Sequence, residues 1–223
     1  MLKEFKLFDL TKRGTLIISY YRSGTHFLQD VISEKCISFS KRYGEICTST
    51  VNNVSQQLEE LTKLSDANYN ICILNNTVPK LYLRNKQNLL LNWHTIRLTR
   101  KNKVSHFISH WFWQLNTLEQ RKQNSGTFLH NSTTNEKYAN QLQQHGKVTI
   151  DISSVEVWLM EQLILELIPA AEEIDYDDLR DLNPHGFSWT PNQYNNIALS
   201  DIFVNHKELE DLLLSFSAQV KEK

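Results

Sequence analysis

Short apolar runs alternate with helical stripes along this chain. Leu16-Ile17-Ile18, continued by Ser19-Tyr20 and bounded by Gly14 and Arg22-Ser23-Gly24, is rich in β-formers and predicts a buried strand. From Thr25 the spacing changes: Phe27, Leu28, Val31 and Ile32 fall on one side of a helix. Tyr69 to Leu74 and His94 to Thr99 predict two further strands. After the second of these, Val104, Phe107, Ile108, Trp111, Phe112 and Leu115 recur at helical spacing. Ser153-Ser154-Val155-Glu156 fits a capping box, in which a serine and a glutamate three residues on satisfy each other's amides. It predicts a helix running to about Ile168 and ending at Pro169. Glu173 to Tyr176 predicts a last short strand. Strands separated by helices predict an α/β fold of three layers, with a central parallel sheet covered on both faces. Two stretches lack periodicity, Gln114 to His145 and Pro184 to Asn196, and are expected to be a surface excursion or lid and an irregular loop.

Composition adds little to this pattern, and charge adds more. At 223 residues, 40% hydrophobic and 22% charged, the chain fits one globular domain over residues 1–223. Lys3, Glu4, Lys6 and Asp9 interrupt the first ten residues, so no signal peptide is expected there. No window approaches the roughly 18 apolar residues of a membrane helix, and a cytoplasmic protein without an integral membrane segment is expected. Cys36, Cys47 and Cys72 are three, widely spaced and without a C-x-x-C pair, which argues against a disulfide framework and against zinc. The net charge of −1 is unevenly distributed. Ala67 to Leu118 contains no acid but seven bases, whereas Asp151 to Asp181 contains ten acids and only Arg180 as a base. A local basic stretch in a neutral protein suits a compact anionic ligand better than nucleic acid.

The turn Tyr20-Tyr21-Arg22-Ser23-Gly24-Thr25 joins the first strand to the first helix. A strand that turns tightly into a helix aims several backbone amides and the positive end of the helix dipole at one point. Gly24 permits close backbone approach, Ser23 and Thr25 add hydroxyls, and Arg22 adds a forked cation suited to phosphate or sulfate. Neither G-x-x-x-x-G-K-[ST] nor G-x-G-x-x-G is present, so the turn is not a triphosphatase or dinucleotide loop. Arg100 closes the third strand, and Ser109 lies nine residues on. Lys101, Ser105 and Ser109 are expected on one helical face, opposite the apolar stripe. Two such anion elements suit a ligand with two separated phosphate groups.

On these residues the chain resembles the sulfotransferases that use 3′-phosphoadenosine 5′-phosphosulfate (PAPS). Ile18 to Leu28 is similar to the family's 5′-phosphosulfate loop. Arg97 to Val104 with Ser109 resembles its 3′-phosphate element, with Arg100 or Lys101 as the cation. Ile174-Asp175-Tyr176-Asp177-Asp178-Leu179 resembles its Tyr-Glu-Asp-Leu signature. The three lie in family order between about Gly14 and Leu182. Tyr21 stands where the family has proline, His26 where it has a second hydroxyl, and the glycine- and lysine-rich loop of the small-molecule enzymes is absent. That pattern is closer to the bacterial carbohydrate- or lipid-modifying branch.

The resemblance implies a P-loop-like sulfotransferase fold and transfer of a sulfuryl group from PAPS to a hydroxyl or amine, with 3′,5′-adenosine bisphosphate (PAP) as product and no metal. It implies that Arg22 stabilises the bridging oxygen, that Ser23, Gly24, Thr25 and His26 contact the 5′ end, and that Arg100 and Ser109 hold the 3′-phosphate. Glu45, in Tyr43-Gly44-Glu45-Ile46, stands in a context where similar carbohydrate sulfotransferases carry their catalytic glutamate; His26 is the alternative base. His94, His106 and His110 are expected to be structural. A magnesium-dependent kinase-like transferase and a non-catalytic nucleotide-binding module are the rival readings.

Overall fold

The computed structural model describes residues 5–20, 24–35, 39–45, 69–75, 90–122, 146–176, 178–180 and 197–221. In chain order the elements are β1 (Gly14–Ser19), α1 (Thr25–Lys35), β2 (Phe39–Glu45), β3 (Tyr69–Asn75), β4 (Trp93–Thr99), α2 (Lys103–Lys122), α3 (Ile152–Glu166), β5 (Glu172–Asp175), a 3-10 turn (Asp178–Arg180), α4 (Leu199–Ile202) and α5 (His206–Lys221). They form two compact units. The first takes residues 1–101 and 159–189, and the second takes 102–158 and 190–223.

The first unit is an α/β sheet of five parallel strands in the order β2-β3-β1-β4-β5. Leu16, Ile17 and Ile18 are all fully buried, as a central strand covered on both faces requires. On one face Ile17, Ile71, Ile73, Ile96, Leu98 and Ile174 meet Phe27, Leu28, Val31 and Ile32, the α1 stripe expected from the sequence. The other face is covered at β4 by the second half of α3. Arg97, one step out of phase with Ile96 and Leu98, donates from Nη1 to the carbonyls of Glu166 (2.8 Å) and Ile168 (2.7 Å), and from Nη2 to Glu173. Tyr20, in phase with Leu16 and Ile18, donates its hydroxyl to Glu161 at 2.6 Å. One cation thus closes the carbonyl end of α3, where helix geometry leaves acceptors without donors.

In the second unit α2 is capped by Asn102, whose side chain accepts the Ser105 amide at 3.0 Å and whose carbonyl accepts that of His106 at 3.0 Å. At its centre Phe107 packs edge-on against Trp158 and tilted against Phe203, with ring centroids 5.3 and 5.9 Å apart. Asn205 fastens the segment before α3 by exchanging two hydrogen bonds with the backbone of Ile150.

Three local expectations change. Gln114 to Lys122 is not part of an irregular excursion, because α2 continues to Lys122 on residues that favour helix (Gln, Leu, Glu, Arg and Lys). Residues 123–145 lie outside the described set. The cap of α3 is Asp151, whose carboxylate accepts the Ser153 amide and the hydroxyls of Ser153 and Ser154, so the helix opens before the expected box. Finally, α2 begins at Lys103. Lys101 therefore precedes it and shares no helical face with Ser105 and Ser109.

Candidate functional site

Strand order locates the place to look. From β1 the chain passes through α1 to β2 on one side of the sheet, and β3 then inserts between them. β4 and β5 extend the other side. The order therefore reverses between β1 and β4, and in open parallel sheets ligands bind beyond the carboxyl ends of strands at such a reversal. Neither the 3-2-1-4-5 nor the 2-1-3-4-5 order of the common doubly wound folds is present. Ser19 is in register with Leu98, so the two strands end almost level, roughly 5 Å apart across the ladder. The two anion elements expected from the sequence follow these two ends directly.

Gly24 opens α1. Its carbonyl accepts the Leu28 amide at 3.1 Å, the first bond of the helix, so the amides of Thr25, His26 and Phe27 are not used by the helix itself. Its φ of +84° lies in the left-handed region. A Cβ there would stand 2.9 Å from both Cδ2 and Cε2 of Tyr176 and 3.1 Å from Cδ1 of Leu179, so glycine is required twice over. Thr25 is buried and His26 exposed. Tyr21, Arg22 and Ser23 lie outside the described residues.

Past the end of β4, Arg100 is only 4% exposed, and its guanidinium carbon stands 4.3 Å above the centre of the Tyr176 ring. The Lys101 side chain is exposed, while its amide donates to the Asp175 carboxylate at 2.9 Å. Of the two cations that could serve this element, the buried, stacked one is Arg100. Tyr176 is held in turn: its amide donates to the Thr99 carbonyl at 2.8 Å, and its carbonyl accepts the Leu179 amide at 3.2 Å. The segment after β5 is thus stitched to the end of β4 and touches both anion elements. The sequence signals Tyr176 only through the signature-like motif; its contacts with Gly24 and Arg100 follow from sheet order and are invisible to local spacing.

The other residues are placed as follows. Ser109 is buried in α2, in the second unit, and Arg100 belongs to the first. Glu45 is the last residue of β2, opposite Ile73, just after a register irregularity beginning at Arg42. It lies at the carboxyl edge two strands from β1, roughly 10 Å away at the usual strand spacing. His94 donates from Nε2 to the Lys6 carbonyl (2.7 Å) at the opposite edge of the sheet. His106 and His110 are buried against Trp158, with centroids at 5.2 and 5.7 Å. Cys72 is buried in β3; Cys36, Cys47 and Asp177 lie outside the described residues. Among the described residues no group of three or more His, Cys, Asp or Glu could hold a metal, and no helix is long and apolar enough to cross a membrane. In comparisons with known proteins the chain matches no family model, no curated protein and no solved structure.

Proposed function

We propose that this protein is a sulfotransferase that binds PAPS across the β1/β4 reversal and modifies a hydroxyl or amine of a carbohydrate or lipid acceptor. One observation carries the reading: a left-handed glycine opening α1 and a buried arginine ending β4 stand on either side of the reversal, both in contact with Tyr176. The fit to a nucleotide with two anionic ends rests on those groups. The left-handed Gly24 turns the chain into α1, whose first amides and positive dipole end suit an oxyanion, and the buried guanidinium of Arg100 supplies the second charge.

When bound, the nucleotide supplies the sulfuryl group. The chain's own residues then have separate tasks. Ser23, Gly24 and Thr25 hold the 5′-phosphate with amides and hydroxyls, with His26 beside them. Arg22 places positive charge where the bridging oxygen gains negative charge. Arg100 holds the 3′-phosphate. Glu45 accepts the proton that the acceptor loses.

Titration calorimetry with 3′,5′-adenosine bisphosphate, against 5′-AMP and ATP, tests the reading. We expect the bisphosphate to bind best without magnesium, and to lose about tenfold or more in affinity in Arg22→Ala and in Arg100→Ala. Absence of binding, or a preference for ATP with magnesium, would refute it in favour of a kinase-like transferase.

A further inference from the structure

Tyr176 is fixed before any ligand arrives. It is 5% exposed, its amide is bonded to the end of β4, and its carbonyl starts the 3-10 turn that carries the fully buried Leu179. Two elements lean on its ring. The backbone of Gly24 lies against the Cδ2–Cε2 edge so closely that a single methyl group would overlap it, and the Arg100 guanidinium lies over the ring at 4.3 Å. An arginine side chain has several rotatable bonds and sweeps a wide volume unless something holds its planar head, and an aromatic face does this well. The Asp175 carboxylate on the Lys101 amide keeps the backbone beside Arg100 in place. The distance from the start of α1 to the guanidinium is therefore set by one rigid ring.

We propose that Tyr176 is a positioning residue that fixes the spacing of the two anion elements and thereby selects ligands carrying two phosphate-like groups over ligands carrying one. The assignment rests on the nucleotide reading above and deepens it. A ligand with one phosphate draws on one element and is indifferent to their spacing. A ligand with two gains from the second only when the spacing matches, because the second contact is then made without a new loss of freedom. The ratio of bisphosphate to monophosphate affinity reports the ring's contribution directly.

The experiment is calorimetry of the full chain with 3′,5′-adenosine bisphosphate and with 5′-AMP, for the wild type and for Tyr176→Phe, Tyr176→Leu and Tyr176→Met, with Tm recorded for each. The methionine variant, longer and more adaptable at the same volume, covers the case in which the leucine cavity prevents folding. The phenylalanine variant keeps the ring and should keep the ratio. The leucine and methionine variants should lower the ratio about tenfold or more, while 5′-AMP affinity changes by less than about threefold. A merely structural role would lower both affinities together with Tm and leave the ratio intact, which would overturn the assignment. Equal loss of the ratio in the phenylalanine variant would also overturn it, since the hydroxyl and not the ring would then matter. If the wild type does not favour the bisphosphate over 5′-AMP, the nucleotide reading falls and this assignment falls with it. If the wild type favours it and the ratio survives in the leucine and methionine variants, only Tyr176 loses its role.

Discussion

Replacing Gly24 by alanine introduces two costs that can be measured separately. At φ +84° an alanine pays for left-handed backbone, about 1–2 kcal/mol. Its methyl would also stand 2.9 Å from two atoms of the Tyr176 ring and 3.1 Å from Leu179, closer than carbon atoms pack. Neither neighbour can retreat, because Tyr176 is 5% exposed and Leu179 is fully buried. Overpacking of this kind costs about 1–3 kcal/mol. The sum is about 2–5 kcal/mol, a large part of the stability of an ordinary domain. Gly146 provides the control: its φ is +64°, and a Cβ there meets nothing within 4 Å. Gly146→Ala should therefore show the backbone cost alone. Urea unfolding of the two variants, followed by circular dichroism, measures the difference, which should be about 1–3 kcal/mol in the same direction. Equal losses in the two would show that the Tyr176 ring does not crowd Gly24, and the account of the site would fail with it.

Two further outcomes follow from bonds remote from that turn. Arg97→Met removes the donor that serves the carbonyls of Glu166 and Ile168, and should lower stability by about 2–4 kcal/mol with an unchanged urea m-value; a loss below about 1 kcal/mol would mean that water replaces the guanidinium. Asp151 caps α3, and the bonds from the Ser154 and Ser153 hydroxyls, Ser154 foremost, hold its carboxyl below the ordinary 3.8. A lowered folded value stabilises above the unfolded value, and the benefit is lost as pH falls through the folded one. The Tm gap between wild type and Asp151→Ala should therefore persist at neutral pH and close in acid below 3.8; a gap that widened as pH fell would contradict the capping role.

Four of the five strands and α1 were legible because their signals are local; β2, over Phe39–Glu45, was not among the predicted strands. Leu16-Ile17-Ile18 reads as a doubly covered strand, and Phe27, Leu28, Val31 and Ile32 read as the buried face of a helix. The end of α2 was not legible from apolar periodicity, since Gln114 to Lys122 is mostly polar; the helix propensity of those residues was the better guide. In α5, Leu209, Leu213 and Phe216 are buried at helical spacing, so the signal for that helix was present. Of the candidate site, Gly24, Thr25 and Arg100 were legible as residue types at strand ends. The Tyr176 contacts were not, because they join positions some 75 and 150 residues apart through a strand order that no local pattern encodes. That Asp151, two residues ahead of Ser153, is the cap reflects the ordinary imprecision of helix boundaries.

The strand order also sets a timetable for the nascent chain. Gly14 of β1 pairs with Asn70 and with Trp93, which are 56 and 79 residues further along. At about 5–20 residues per second, the ribosome reaches Trp93 roughly 4–16 s after Gly14. Throughout that interval Leu16-Ile17-Ile18, the least water-compatible run of the first strand, has no neighbour on its β4 side. The segment that leads into the proposed anion-binding turn is thus an adhesive edge during synthesis. A chain interrupted after β3 would be expected to collect in aggregates rather than wait for its missing strand.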